Sequence, residues 1–409
     1  MATPTIPLAR GGRPRREAAA HPVTMASPTL AVWLSVVLGV LCLVGLVMVG
    51  TASSVVSVVY YGSTWAIVFR ECLWLVVGVI AFLFASGRGY DWLRKLAAIG
   101  ALASIGLLVV VLVPGVGTSS FGASRWLGEG WLRIQPSELV KLALCLYAAH
   151  VISRKERTES EWGRVLRPLA IVTMLCALLV LVQPDMGTAV VLVAIALAVA
   201  TAAGAPRRAL VWTLGFLGAG AGVAAVALPY RRERLLCFLS PQAHAAGCGY
   251  QLLESKNAMG SGGVVGMGVG NSPASWGLLP NPHTDFIFSI IGQQLGLVGA
   301  LLTIGLLVTL VMLALRVAAT SPDRFGQLVA VGIAAWIATE TIVNVGGVIG
   351  VLPVTGIPLP FISFGGTSLV IDMAAVGLLV GIARRSAATP ALRVVARERA
   401  AARPPARRR

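Results

Sequence analysis

Long apolar runs, separated by short charged or glycine-rich segments, dominate this chain. A helix of about 20 apolar residues spans the hydrocarbon core of a bilayer. Ten runs have roughly that character: Leu30–Met48, Val68–Ala85, Leu96–Val113, Leu139–Ile152, Leu169–Val182, Thr188–Ala203, Ala209–Leu228, Phe286–Val317, Phe325–Leu352 and Ser363–Ala383. They predict an all-α integral membrane protein with ten transmembrane helices. The eighth and ninth runs are long enough for tilted or kinked helices.

The composition supports a membrane protein and argues against a nucleic-acid-binding one. The chain is 57% hydrophobic and 12% charged, whereas soluble domains contain about 25% charged residues. A net charge of +17 in a soluble protein would indicate nucleic acid as a partner. Here the basic residues lie between apolar runs, where they orient helices and contact anionic lipid headgroups. We therefore expect membrane lipids, and no nucleic acid, as partners.

The distribution of Lys and Arg predicts the topology. With ten spans, 25 of the 33 basic residues fall on one side of the membrane, and the positive-inside rule makes that side cytoplasmic. Both termini are then cytoplasmic, and a large extracytoplasmic loop lies between helices 7 and 8. We expect disordered basic tails at 1–28 and 386–409, a membrane domain at 29–385 and the large external loop at 229–285.

Cys237 and Cys248 both fall in the large loop. Their positions leave two interpretations open, a disulfide or two free thiols.

Glu138 and Lys141 are charged residues at the start of an apolar run. They are three positions apart, so they share one face of a helix and can form an ion pair. Ionisable groups in a membrane are costly and face a cavity or each other. Two interpretations follow: a structural salt bridge that fixes the helix, or a cavity-lining pair that orients a substrate or a catalytic group.

Asp285 follows two prolines and precedes the eighth run, next to His283 and Thr284. One interpretation is that Asp285 or Thr284 is the N-cap of the helix, a position that favours such side chains. The other is that Asp285 is a general base at the membrane surface. The two roles are compatible, because the helix N-terminus favours an ionised carboxylate.

Other predicted outward segments contain further candidates. Asp185, in the turn at 183–187, is either the cap of the sixth helix or a functional carboxylate. Arg125 is either an interfacial anchor or a cation at the outer interface. The glycine-dense segment 258–271 has no GK[ST] sequence, so it lacks the P-loop pattern and predicts a close-packed or hinged re-entrant segment. Segment 353–368, which contains Ser363, predicts a cavity wall, because irregular backbone at membrane depth survives where it is buried or lines a cavity.

Together these segments resemble the SEDS family (shape, elongation, division and sporulation), which includes FtsW and RodA. The resemblance spans most of the chain and is carried by several motifs in order. They are GASRW at 122–126, QPSELVK at 135–141, QPDMGT at 183–188, GYQ at 249–251, GSGG at 260–263, HTDFIF at 283–288, Asn344, LPVTG at 352–356 and PFISFGG at 360–366.

The resemblance implies ten helices and a glycosyltransferase that polymerises lipid II into peptidoglycan strands outside the bacterial cytoplasmic membrane, releasing undecaprenyl diphosphate. It implies that Asp285 is catalytic and that Glu138 and Lys141 are the family's charged pair. It also implies a class B penicillin-binding protein as transpeptidase partner, with other division or elongation proteins. Residues 47–53 and the basic tails are more similar to the division branch, FtsW, than to the RodA branch, so we expect the division septum as the site.

The chain departs from the family pattern at several positions. Gln293 and Gln294 stand where the family usually has two acidic residues, Asn281 and Pro282 replace a more usual Glu-Ala, and Glu340 stands where Gln is common. No cofactor is expected with certainty. A divalent cation, Mg or Mn, is an open alternative, because the two glutamines replace acidic residues that could have bound it.

The expected mechanism places the donor diphosphate near Arg125, Lys141 or the arginines at 231, 232 and 234. Asp285 removes the proton from the acceptor 4-hydroxyl, which attacks the donor anomeric carbon. Residues expected to bind substrate or line the cavity are Glu138, Lys141, Arg125, Arg231, His283, Thr284, Asp185 and Ser363. The competing hypotheses are a lipid II flippase, an elongation-type polymerase and a scaffold for division proteins.

Overall fold

The computed structural model describes residues 27–87, 91–120, 123–128, 130, 133–153, 162–227, 236–247 and 249–401. Arg231, Arg232, Arg234 and Cys248 lie outside the described residues, as does most of the predicted N-terminal tail.

Helices make up most of the described structure. They are α1 (Ser27–Tyr61), α2 (Ala66–Gly87), α3 (Asp91–Val111), α4 (Pro136–Ser153), α5 (Trp162–Val182), α6 (Met186–Ala202), α7 (Arg207–Ala227), α8 (Tyr250–Gly262), α9 (Ile287–Thr320), α10 (Arg324–Ile349) and α11 (Thr367–Ala401). Segments in seven of them, α1, α2, α3, α5, α9, α10 and α11, are long and apolar enough to cross a membrane, and α6 is a shorter apolar helix. The chain is therefore a multi-pass membrane protein.

The large loop and the C-terminal tail contain regular structure. Short 3₁₀ helices at Gln242–His244 and Pro273–Trp276 flank α8. Helix α11 continues to Ala401, beyond the boundary expected at 385, and residues 402–409 lie outside the described residues. Cys237 is disulfide-bonded, whereas Cys42, Cys72, Cys145 and Cys176 are free thiols.

A small β-hairpin corrects the prediction of an all-α chain. Strand β1 (Gly117–Ser120) pairs antiparallel with β2 (Ala123–Leu127), with an irregularity between Thr118 and Ser119. The Thr118 hydroxyl also donates to the Trp126 carbonyl at 3.2 Å. The segment is short and rich in Gly and Ser, so it lacks the alternating apolar pattern by which strands are predicted.

The core forms between pairs of helices, some consecutive and some distant in sequence. Helix α2 packs against α11, α9 against α10, α3 against α4, and α6 against α10. Gly377 permits a close backbone approach between α2 and α11, because a Cβ there would collide with the Phe82 backbone. Backbones approach this closely in membrane bundles where one side chain is absent.

Helix α9 is kinked where the glycine-dense segment packs against it. Gly296 has φ 67° and ψ −165°, so the helical hydrogen bonds are interrupted there. The amide of Met267 donates to the Gln293 carbonyl at 3.0 Å, and the Leu297 amide donates to the Gly263 carbonyl at 3.0 Å. The segment therefore supplies partners for backbone groups that the kink releases. Of the alternatives that the sequence left open, the eighth run forms a kinked helix and the glycine-dense segment is close-packed against it.

Gly266 is a tight point of this contact, and we expect Gly266→Ala to destabilise the protein by about 2 kcal/mol or more. Its φ is +89°, and an added Cβ would collide with the backbone of Gln294 and Gly296. The measurement is the thermal unfolding midpoint of the purified protein in detergent.

Gly268→Ala is the matched control. Gly268 also has a positive φ of +96°, but an added Cβ there meets nothing within 4 Å. Gly268→Ala introduces the same conformational strain without a collision. It should therefore lower the free energy of unfolding clearly less than Gly266→Ala. Equal losses in the two variants would contradict the packing argument.

Candidate active site

Several irregular segments meet at one end of the helix bundle, which we call the loop face. It comprises the β-hairpin, the turn at 183–185, residues 279–286 and residues 350–366. The Phe364 amide donates to the His283 carbonyl at 2.9 Å, and Gly187 lies against the side chains of Ile357 and Thr355. Segments that are more than 150 residues apart in sequence thus form one surface.

Asp285 lies on the loop face immediately before α9. The N-cap of α9 is Phe286, without a capping side-chain hydrogen bond, so the prediction that Asp285 or Thr284 caps this helix is wrong. Asp285 instead lines a small open pocket with a cavity volume of about 10 Å³. The other lining residues are Val343, Asn344, Gly347, Val348, Val354, Thr355, Gly356 and Ile357.

Gly356 brings the last loop against the Asp285 carboxyl group. It has φ +81°, and a Cβ built on it would lie 3.5 Å from Asp285 Oδ2. Glycine both adopts this left-handed conformation and leaves the carboxyl group accessible. The 353–368 segment thus forms a wall of the pocket, as predicted.

His283, Thr284 and Ser363 hold the backbone that carries Asp285. The Ser363 hydroxyl donates to the Thr284 carbonyl at 2.7 Å and accepts from the Leu359 amide at 2.8 Å. The His283 ring contacts the Phe364 ring edge-on, with 5.7 Å between centroids. These contacts surround the peptide that precedes Asp285. His283, Thr284 and Ser363 therefore position the Asp285 carboxylate.

Asn344 performs a similar task from α10. Its Nδ2 donates to the Asp285 carbonyl at 2.9 Å and to the Ile357 carbonyl at 2.7 Å. One amide group thereby ties the start of α9 to the last loop. Asn344 forms part of the family resemblance, but the sequence alone assigned it no role. The available signal was an amide side chain within an apolar run.

Glu138, Lys141 and Glu340 form a buried ion triad between α4 and α10. The Lys141 ammonium contacts Glu138 Oε2 at 2.5 Å and also pairs with Glu340 Oε1. It lies 4.8 Å from the centre of the Trp336 ring, and each member of the triad is at most 2% exposed. The predicted Glu138–Lys141 pair is confirmed, and Glu340 is a partner that sequence reasoning missed.

Asp185 and Arg125 are engaged within the protein. Asp185 caps α6, accepting from the Thr188 amide at 3.0 Å and from the Thr188 hydroxyl at 2.8 Å. The capping interpretation is therefore confirmed. Arg125 donates through Nε to the Gln183 carbonyl at 2.7 Å and through Nη2 to the Pro184 carbonyl. This guanidinium ties the β-hairpin to the turn before α6.

Arg70 is a cation of the loop face that sequence reasoning missed. Its guanidinium lies 5.7 Å from the centre of the Phe364 ring, whose other neighbour is His283. It donates at 3.3 Å to the Tyr61 hydroxyl and at 3.3 Å to the Gly130 carbonyl. The available signal was an arginine one turn inside an apolar run, since such charges in spans tend to be functional.

Gln293 and Gln294 bind the glycine-dense segment through side-chain hydrogen bonds. Gln293 Nε2 donates to the Ser261 hydroxyl at 2.9 Å, and its Oε1 accepts from Ser272. Gln294 Oε1 accepts from the Gly270 amide at 3.2 Å and the Thr51 hydroxyl at 3.0 Å. These amides are used in packing, and the described residues contain no group of three or more His, Cys, Asp or Glu side chains able to hold a metal.

Burial lowers the pKa of the His283 imidazole from 6.5 to about 4, and its Nδ1 has no hydrogen-bond partner among the residues that the structure describes. The unfolded chain therefore binds more protons than the native protein between about pH 6.5 and 4, and native stability falls as pH falls through that window. The contribution is at most about 1.4 kcal/mol per pH unit. We expect His283→Gln to unfold with a shallower pH dependence, measured from thermal midpoints between pH 7 and 4.5.

His244→Gln is the control, because His244 is exposed on the large loop. It should keep the pH dependence of the wild-type protein. If His283→Gln unfolds with the pH dependence of the wild-type protein, His283 is not the group that lowers stability at acidic pH.

The buried triad makes a second prediction. Lys141→Met removes the cation between two buried carboxylates, and breaking such a network costs about 3–5 kcal/mol. The triple variant Glu138→Gln, Lys141→Met, Glu340→Gln carries no charge there and should recover most of that loss. Thermal unfolding in detergent measures both variants. A Lys141→Met protein as stable as wild type would show that the triad does not hold α4 to α10.

Comparisons with known proteins agree with this architecture. The family model described as "Cell cycle protein", for FtsW, RodA and SpoVE, matches residues 32–388. Stage V sporulation protein E of Bacillus subtilis is 37% identical over 344 residues, covering 84% of this chain and 94% of that protein. A protein named probable peptidoglycan glycosyltransferase FtsW, from Trichlorobacter lovleyi, is 37% identical over 348 residues, covering 83% of this chain and 89% of that protein.

Solved structures share the fold. A chain in a structure titled "Structural coordination of polymerization and crosslinking by a peptidoglycan synthase complex" superposes with a TM-score of 0.72 at 29% identity, covering 86% of this chain and 97% of that chain. Thermus thermophilus rod shape determining protein RodA superposes with a TM-score of 0.64 at 26% identity, covering 86% of this chain and 96% of that chain. With a family match across most of its length, and these relatives, this chain belongs to the FtsW/RodA/SpoVE family, the SEDS proteins.

Proposed function

We propose that this protein is a peptidoglycan glycosyltransferase that polymerises lipid II, with the loop face on the outer side of the bacterial cytoplasmic membrane. In this proposal ten helices span the membrane and both termini are cytoplasmic. The support is the excess of basic residues on the opposite side and the names of the relatives, which include peptidoglycan glycosyltransferases.

The observation that carries the proposal is the placement of Asp285. Its carboxyl group lines an open pocket, while Asn344, Ser363 and Phe364 fix the backbone on either side. A general base needs both access to the reacting proton and a held position.

The proposed reaction is an inverting glycosyl transfer. The Asp285 carboxylate accepts the proton of the acceptor 4-hydroxyl, and that oxygen bonds to the anomeric carbon of the donor. The bond from this carbon to the phosphate oxygen breaks, and undecaprenyl diphosphate leaves with the electron pair. One carboxylate suffices, because the diphosphate is already a good leaving group.

The leaving diphosphate requires positive charge, and we propose that Arg70, which lies beside Phe364 of the loop face, supplies it. Lys141 is buried between two glutamates and Arg125 is bonded to two carbonyl groups, so we propose structural roles for both. Arg70 is only partly buried and its planar guanidinium suits phosphate oxygens. Arg231, the other cation predicted to bind substrate, lies outside the described residues.

A divalent cation, Mg or Mn, stays a proposal for charge neutralisation at the diphosphate. Asp285 and the Thr355 hydroxyl supply oxygen atoms to the lining of the pocket, and such oxygen ligands suit these hard cations. With Gln293 and Gln294 engaged in packing, Asp285 would be the carboxylate that holds the ion. Its chemistry would be to shield the diphosphate charge as the donor bond breaks.

The proposed partner is a class B penicillin-binding protein that crosslinks the new strands. The support is the solved neighbour, whose title describes a peptidoglycan synthase complex that coordinates polymerisation and crosslinking. We propose that the protein acts at the division septum, because relatives named FtsW match most of the chain. Other division or elongation proteins would then assemble around the pair.

The test is polymerisation of labelled lipid II by the protein purified with its transpeptidase. Asp285→Asn keeps the shape of the side chain but removes the base, so we expect polymer formation to fall by about 100-fold or more. Asp285→Ala should fall at least as far. Products are measured as glycan strands on a gel, with folding checked by thermal unfolding and partner binding.

Glu254→Gln is the matched control, since Glu254 is a partly buried carboxylate of α8 in the large loop. It should polymerise at the wild-type rate. Polymer surviving both Asp285 substitutions would refute the assignment of the base. Transport of lipid II across vesicles by a wild-type protein that makes no polymer would support the flippase hypothesis instead.

A further inference from the structure

Asn344 lines the pocket that contains Asp285 and has a buried polar atom without a partner. The residue is 5% exposed, and its Oδ1 has no hydrogen-bond partner among the described residues. The amide orientation is determined by chemistry, because Nδ2 donates to two carbonyl groups. A flipped amide would place Oδ1 against two other acceptors. The unpaired atom is therefore a hydrogen-bond acceptor.

An unpaired buried acceptor is unfavourable and calls for an explanation. A ligand that brings an N–H or O–H donor into the pocket would remove the penalty. The pocket is suited to a small group with apolar faces and polar edges. Its walls include two glycines and four branched aliphatic residues: Gly347, Gly356, Val343, Val348, Val354 and Ile357.

The destination of the attacking hydroxyl's proton indicates which donor can form a hydrogen bond to Asn344 Oδ1. In the proposed reaction, on which this inference rests, the attacking hydroxyl transfers its one proton to Asp285. That proton cannot also be donated to Asn344 in the transition state. A second donor of the acceptor, held next to the reacting hydroxyl, can pair with the Asn344 oxygen while Asp285 takes the reacting proton.

We propose that Asn344 is a substrate-positioning residue whose Oδ1 accepts a hydrogen bond from a hydroxyl adjacent to the attacking one, on C3 or C6 of the acceptor sugar. Its Nδ2 holds the Asp285 backbone while its Oδ1 holds the substrate. One amide thus sets the distance between base and acceptor, which is the geometry that rate depends on most strongly.

The experiment measures single addition of a labelled lipid II donor to acceptor disaccharides by the complex of protein and transpeptidase. The acceptors are the natural sugar and its 3-deoxy and 6-deoxy analogues. We expect wild type to react about tenfold or more slowly with one analogue, because a buried acceptor is left unpaired. Asn344→Leu should be slow with the natural acceptor and indifferent to that same deoxygenation.

Two further variants separate positioning of the substrate from support of the fold. Asn344→Asp keeps an oxygen acceptor but loses both N–H donors, so it should be slower while still discriminating against the same analogue. Thr339→Val is the control on the same helix. Among the described contacts, the Thr339 hydroxyl donates only to the Ala335 carbonyl within α10. Thr339→Val should retain wild-type rates and discrimination.

Wild-type protein alone can overturn the proposal, whatever the stability of the variants. Equal rates with all three acceptors would refute it, as would an Asn344→Leu variant that discriminates like wild type. No addition to the natural acceptor would refute the proposed function itself. The two failures are therefore distinguishable.

Discussion

Irregular backbone in this helix bundle depends on hydrogen bonds made within the protein. Lipid offers no partner to a peptide group, so each interruption of a helix must be compensated by another segment. The kink at Gly296 is paired with the glycine-dense segment, and the last loop is paired with the start of α9 through Phe364 and Ser363. The loop face exists because these pairings allow non-helical backbone to pack at the ends of the helices.

The same constraint determines where chemistry can occur. Side chains that satisfy carbonyl groups, such as Arg125 and the Nδ2 of Asn344, are held in place and cannot move toward a substrate. Asp285 differs, because its backbone is held by neighbours while its carboxyl group lines an open pocket. A rigid backbone with an accessible side chain is the arrangement expected of a preorganised site.

The sequence predicted what depends on hydrophobicity and on local spacing. The apolar runs correspond to the long helices, the three-residue spacing of Glu138 and Lys141 gave a real ion pair, and the turn at Asp185 caps α6. Contacts across long separations were not predictable, because periodicity carries no information about tertiary neighbours. Glu340 joins Lys141 from 199 residues away, and Asn344 meets Ile357 through a loop of prolines and glycine. The β-hairpin was missed because its few residues have no strand pattern.

The departures from the family pattern shift negative charge away from the glycine-dense segment. Gln293 and Gln294 are neutral and use their amides to hold that segment. These two positions therefore provide no carboxylate that could bind a cation. Glu340 adds its charge in the buried triad, where Lys141 compensates it. The carboxylate that lines the pocket is that of Asp285, and most of the other lining residues are glycine or branched aliphatic.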